Sequence, residues 1–216
     1  MKKIENNQLS LKQIIDFRIE KLEKIKSAGI DPYPSKFNKK NKIIDIINNP
    51  DKYEKVKTAG RVISLRRMGK SCFMHIQEDI NKIQIYIKSD MIEENLYDNL
   101  VRNIDIGDIL GVEGELFYTK TEELSIKAKY VCMLSKNIYP LPNIKEKDGK
   151  SFFAFEDKEL RYRNRYMDLI VNPEVKDVFI KRSQIINEIR RFLNSREYLE
   201  VETPILQPIY GGANAR

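Results

Sequence analysis

In the stretch 71–77, SCFMHIQ, a two-residue alternation sends Cys72, Met74 and Ile76 one way and Phe73, His75 and Gln77 the other. In the following run, KIQIYIKS, Ile83, Ile85 and Ile87 make the apolar side, and Gln84, Tyr86 and Lys88 the opposite one. If the isoleucines are core, Phe73 is a large ring displayed among polar groups, near Arg66, Arg67 and Lys70. That set suits single-stranded bases: the ring stacks, amides reach base edges, and cations meet phosphate. Packing of Phe73 beneath a loop or an N-terminal helix fits the same pattern, and alternation does not separate the two.

Other chemistries have less to work with. His75 is the only histidine, so a nucleophilic triad could be built only around it, and zinc would lack ligands. Cys72 and Cys132 lie far apart with no C-x-x-C spacing, which reads as buried thiols in a reducing cytosol. The 39 Lys and Arg against 32 Asp and Glu leave a formal charge of +7, which suits a polyanionic partner or serves solubility alone. The first residues carry charge without an apolar stretch, and no run reaches membrane length, so a cytoplasmic protein without a membrane partner is expected.

The elements that must position these residues are legible from periodicity. Ser10 and Gln13 form a capping-box pattern, and Leu11, Ile14, Ile15, Leu22 and Ile25 recur at helical spacing, predicting an amphipathic helix over 10–28. Its outer face would carry Lys12, Arg18, Lys21, Lys24 and Lys26; a solvated face and a contact to a nucleic-acid backbone fit equally. A loose basic connection, KFNKKNK, follows. From about residue 56 the period becomes two, and five strands are expected, with a helix within 90–103 between the third and fourth. That arrangement suits a small Greek-key barrel of the OB type, with a two-sheet sandwich as the alternative. Pro140, Pro142 and Gly149 break the pattern at a domain boundary. Beyond it come an Arg- and Tyr-rich helix and a longer helix over 174–196, striped by Val175, Val178, Phe179, Ile185, Ile186, Ile189, Phe192 and Leu193. The segment YLEVETPIL then alternates as a strand ended by Pro204. Two helices and a strand make a poor core alone, so burial against another chain or further sequence is expected.

The run from LRYRNRYMDLIVNPEV to YLEVETPILQPIYGGANAR resembles the start of the catalytic domain of class II lysyl-tRNA synthetases, including the motif 1 helix and strand with its proline. GRVISLRRMGKSCFMHIQ, KIQIYIKSD and GDILGVEGELFYTKTEELSI are similar to the anticodon-binding OB domain of the same family. Aspartyl- and asparaginyl-tRNA synthetases share this plan; RYMDLIVNPEV and LQPIYGGANAR are lysine-like. The resemblance implies an α+β chain that is mainly β in its amino-terminal part. It divides into a helical extension (1–55), an OB-fold barrel (56–136), a linker (137–156) and the start of a class II catalytic domain (157–216).

It further implies that the central anticodon uridine of lysine tRNA stacks on Phe73, and that Arg66, Gln84 and Glu123 contact bases. The motif 1 segment with Pro204 would form a homodimer interface, and Gly211, Gly212 and Ala213 would approach the lysine substrate. ATP and Mg2+ would serve the complete enzyme through motifs 2 and 3, neither of which occurs before Arg216. No catalytic or metal-binding residue is therefore assigned, and the 216 residues are expected to bind tRNA without charging it. A stand-alone OB-fold nucleic-acid-binding module, or a partner subunit without catalysis, is the alternative. Two departures stand out: Glu122 in the turn between the fourth and fifth strands and Glu197 in motif 1 occupy places where the family usually has glycine.

Overall fold

The first helix of the computed structural model, α1 (Leu11–Ser27), begins where its capping pair predicts. Ser10 Oγ accepts from the Gln13 amide at 3.3 Å while Gln13 Oε1 accepts from the Ser10 amide at 2.8 Å. The structure describes residues 10–142, 144–147, 150–153 and 157–205, which fall into two units dividing after residue 143.

In the first unit, α2 (Ile43–Asn48) follows the basic connection. It was not anticipated from sequence, and it buries Ile43 and Ile46, one helical turn apart. Strands β1 (Lys55–Met68), β2 (Ser71–Glu78), β3 (Asn81–Lys88), β4 (Ile109–Tyr118) and β5 (Leu124–Ser135) close into a single barrel in the order β1-β2-β3-β5-β4. The short helix α3 (Glu94–Asn99) and a 3-10 turn (Val101–Asn103) lie between β3 and β4, as the OB arrangement requires. The closed barrel replaces the sandwich alternative. Its interior takes the residues that alternation assigned to it: Cys72, Met74, Ile76, Ile83, Ile85 and Ile87 are all buried, joined by Ile25 of α1. The thiols are free, and burial pushes that of Cys72 up to about 11, well outside the reactive range.

One expectation about α1 needs correction. Arg18 and Lys21, read as part of an outer basic face, are buried. Arg18 donates to the carbonyls of Asn137 at 2.9 Å and Ile106 at 3.2 Å, and Lys21 pairs with Asp105. Asp105 and Asp108 also hold Lys136, whose side chain is fully buried, at 2.6 and 2.8 Å. Helical spacing cannot reveal that a distant loop supplies fixed acceptors for particular cations. Lys12, Lys24 and Lys26 do remain exposed.

In the second unit, β6 (Ile144–Lys147) and β7 (Lys150–Phe153) pair antiparallel within the stretch expected to be linker. The Arg- and Tyr-rich helix breaks at Asn164 into α4 (Lys158–Arg163) and α5 (Arg165–Val171). The buried Asp168 carboxylate draws these together, accepting from Arg161 Nε at 2.8 Å, Asn172 Nδ2 at 2.6 Å and Arg165. Burial opposes its charge, but Asn172 and Arg161 hold it below the usual carboxylate range. Helix α6 (Pro173–Asn194) starts with a proline in its first turn. The strand expected at YLEVETPIL is not formed over 198–205: these residues have no ladder partner among the described residues, and an isolated strand leaves its amides and carbonyls unpaired. Glu122 and Glu197 both adopt left-handed backbone, with φ of 59° and 65°, the conformation glycine takes most easily.

Candidate nucleic-acid interface

The site begins with a bulge in β1. Val62 pairs with Ile76, but Ser64 pairs with His75, so Ile63 is an extra residue that reverses the strand's alternation. Before it, Val56, Thr58, Gly60 and Val62 face inward; after it, Ser64 and Arg66 join the outward face of β2. Register then lays two rows across the barrel. Arg66, Phe73, Tyr86 and Lys127 stand side by side in one, and Ser64, His75, Gln84 and Ser125 in the other.

The first row is a stacking ledge. The Phe73 and Tyr86 ring centroids lie 4.8 Å apart at 35°, and Phe117 of β4 continues the ledge edge-on, 6.0 Å from Tyr86. The second row is a hydrogen-bonded chain. Ser64 Oγ lies 2.8 Å from His75 Nδ1, and His75 Nε2 lies 2.8 Å from Glu123 Oε1. Gln84 Nε2 donates to Glu123 Oε2 at 2.7 Å, and Ser125 Oγ donates to Gln84 Oε1 at 2.9 Å. Glu123 is delivered by the β4–β5 turn, in which Thr119 Oγ1 accepts from its amide at 3.1 Å. Apart from Lys127 and Ser125, the residues of ledge and chain line one open groove of about 890 Å³.

The four residues implied by resemblance as base contacts, Arg66, Phe73, Gln84 and Glu123, all line this groove. Phe73 is half-buried beside Tyr86, and it lines the groove together with strand residues and the β4–β5 turn rather than with any helix. Arg67, grouped with Arg66 in the sequence reading, turns away to the carbonyls of Ile104 and Arg102. Ser64, His75 and Phe117 were not singled out as site residues; the outward parity of His75 was visible, but its partners depended on the bulge and on the distant turn. Pro204 is exposed in the second unit, and Gly211, Gly212 and Ala213 lie outside the described residues. Among the described residues no carboxylate, histidine and cysteine cluster could hold a metal ion, and no helix is long and apolar enough to cross a membrane.

Comparison with known proteins places this groove in context. Residues 56–133 match the family model of the OB-fold nucleic acid binding domain, and residues 157–216 match that of class II tRNA synthetases of the D, K and N group. A lysine–tRNA ligase of Fusobacterium nucleatum is 46% identical over 97% of this chain, and one of a Thermoanaerobacter species is 46% identical over 98%. One of Azobacteroides pseudotrichonymphae is 43% identical over 93%. The chain spans 41–42% of the length of these curated relatives. With both parts matched in order, the chain belongs to the class II lysyl-tRNA synthetase family.

Proposed function

We propose that this chain supplies the anticodon-binding and dimer-forming parts of a lysine–tRNA ligase, an enzyme that joins lysine to its tRNA through lysyl-AMP. The observation that carries the reading is the groove, where a ledge of Phe73 and Tyr86 runs beside the acceptor Glu123 and the amide of Gln84. A flat ring stacks on such a ledge while its edge meets the polar groups. In this reading the central anticodon uridine lies on Phe73, and Arg66, Gln84 and Glu123 read base edges. ATP and Mg2+ would serve the complete enzyme, and no residue of this chain is assigned to them.

The apolar face of α6 and the segment through Pro204 form the homodimer contact in this proposal, and Gly211, Gly212 and Ala213 approach the lysine. The domain limits are those of the sequence reading, and the location is the cytoplasm. The 216 residues bind lysine tRNA without charging it, because the ATP-handling motifs of the family are not among them. Clear lysylation by this chain alone would refute that part.

The test of the site is Phe73→Ala against a lysine-tRNA anticodon stem-loop. Lost stacking on one base is expected to cost about 1–3 kcal/mol of binding. Unchanged affinity would remove Phe73 from the site.

A further inference from the structure

We propose that His75 is a positioning residue that aims Glu123 at the imino N–H of a stacked uracil, so that a side chain acting through another decides base selectivity. The inference rests on the proposed reading of the groove as a single-stranded RNA site for uridine, and it adds what holds the reading carboxylate in place.

The polarity of the chain follows from chemistry. An ionised carboxylate only accepts, so the His75 nitrogen 2.8 Å from Glu123 must carry its hydrogen, and Gln84 must turn its amide N–H to the other oxygen. With Nε2 protonated, neutral His75 has an acceptor at Nδ1, and the Ser64 hydroxyl is left to donate to it. Every hydrogen in the chain therefore points toward Glu123. Each carboxylate oxygen receives one bond from the described residues and has room for a second. The Glu123 side chain is 44% exposed, so these positions are open to a ligand.

Around that acceptor the groove offers donors: the second amide hydrogen of Gln84 and the guanidinium of Arg66. A donor–acceptor–donor array is complemented by a ring edge reading acceptor, donor, acceptor. The O2, N3–H and O4 edge of uracil has that order. Cytosine lacks a hydrogen at N3, adenine lacks one at N1, and guanine has a donor where the second acceptor is needed. The array works only if Glu123 is held still, and this residue sits on a turn, next to the left-handed Glu122. His75 and Gln84 are its two tethers, one to each oxygen.

The experiment uses the 216-residue chain and two RNA hairpins, one with an all-uridine loop and one with N3-methyluridine in that loop, compared by fluorescence anisotropy. The methyl group removes the imino hydrogen and leaves the ring to stack. The unsubstituted chain is expected to prefer uridine by about tenfold or more, the size of one hydrogen bond to a charged group. His75→Leu should bind both hairpins with the preference collapsed toward unity. His75→Gln, which restores an N–H near the Nε2 position, should recover most of it, a rescue that a purely structural role would not give. Ser64→Ala removes only a hydroxyl and should lower the preference partially, which keeps the idea testable if His75→Leu does not fold. Full discrimination in His75→Leu, or in Ser64→Ala where the former is unfolded, would overturn the proposal. If the unsubstituted chain binds both hairpins equally, the role of His75 falls while RNA binding stands; if it binds neither, both fall together.

Discussion

The barrel hides its isoleucines, whereas α6 displays its own. Ile76, Ile85 and Ile87 are fully buried among residues of all five strands, while Val178, Ile185 and Ile189 are 62%, 60% and 55% exposed, together with Phe179 and Phe192. Each such side chain is worth about 1.5–3 kcal/mol when fully buried, so the barrel collects that stabilisation internally and α6 leaves it uncollected. A continuous apolar face of this kind marks a surface made for something else. The barrel reads as a self-sufficient fold, and the helical unit, under the dimer proposal above, as half of a contact.

The sharpest way to break that contrast is to disturb the barrel's buried ion cluster. Lys136→Met removes the cation held between Asp105 and Asp108, and stranding buried carboxylates costs about 3–5 kcal/mol. The signs differ between the two acids. Burial opposes the charge on Asp105, but Lys136 and Lys21 hold it below its ordinary range, so its contribution is present at neutral pH and is lost as pH falls through that lowered value. Burial raises Asp108 despite Lys136, so its contribution is fully present below the ordinary carboxylate range and is lost as pH rises through the raised value. Without Lys136, Asp108 should rise further. The variant's deficit in urea unfolding should therefore shrink on acidification; a deficit that is constant with pH, or absent, would show that the cluster does not hold the barrel.

A charge placed on the exposed stripe should act quite differently. Ile189→Glu is expected to leave thermal unfolding of the barrel unchanged but to weaken self-association by more than about tenfold, as measured by sedimentation, because a desolvated carboxylate is costly in an interface. The same change at the buried Ile85 should unfold the barrel. If Ile189→Glu destabilises the barrel as Ile85→Glu does, the division into a closed and an unfinished region is wrong.

The two regions were also unequally legible. Period-two alternation placed all five strands and the inward set of β2 and β3, because a closed barrel satisfies its own pattern locally. Apart from the short α2 and the β6–β7 hairpin, which are local, the failures trace to context that lies outside the element concerned. The bulge at Ile63 has no alternation signature, and it alone turns Ser64 and Arg66 outward. The burial of Arg18 and Lys21 depended on carbonyls and a carboxylate more than eighty residues away, at Ile106, Asn137 and Asp105. The strand expected before Pro204 needed a neighbour to pair with, and the described residues contain none. Phe73, Gln84 and Glu123 were placed by resemblance; what joins Gln84 to Glu123 is the parallel β3–β5 pairing, a contact that sequence order does not announce.

The smallest predicted effect compares the regions on equal terms. Glu122 in the barrel and Glu197 after α6 each hold a left-handed φ, where a Cβ is strained by about 1–2 kcal/mol. Glycine relieves the strain but adds freedom to the unfolded chain worth about 0.4–1 kcal/mol, so a net gain below about 1 kcal/mol is expected. In Glu122→Gly the gain should appear in full, because the turn is locked by Thr119, which bonds both the amide and the carbonyl of Glu123. In Glu197→Gly it should be smaller in a dissociated sample: the amides of Glu197 and Tyr198 bond back to the carbonyls of Asn194 and Leu193, as in a helix-capping turn, but the segment that follows has no ladder partner among the described residues. Equal gains for the two variants in a dilute, dissociated sample would mean that the turn after α6 is already as well determined as the one in the barrel.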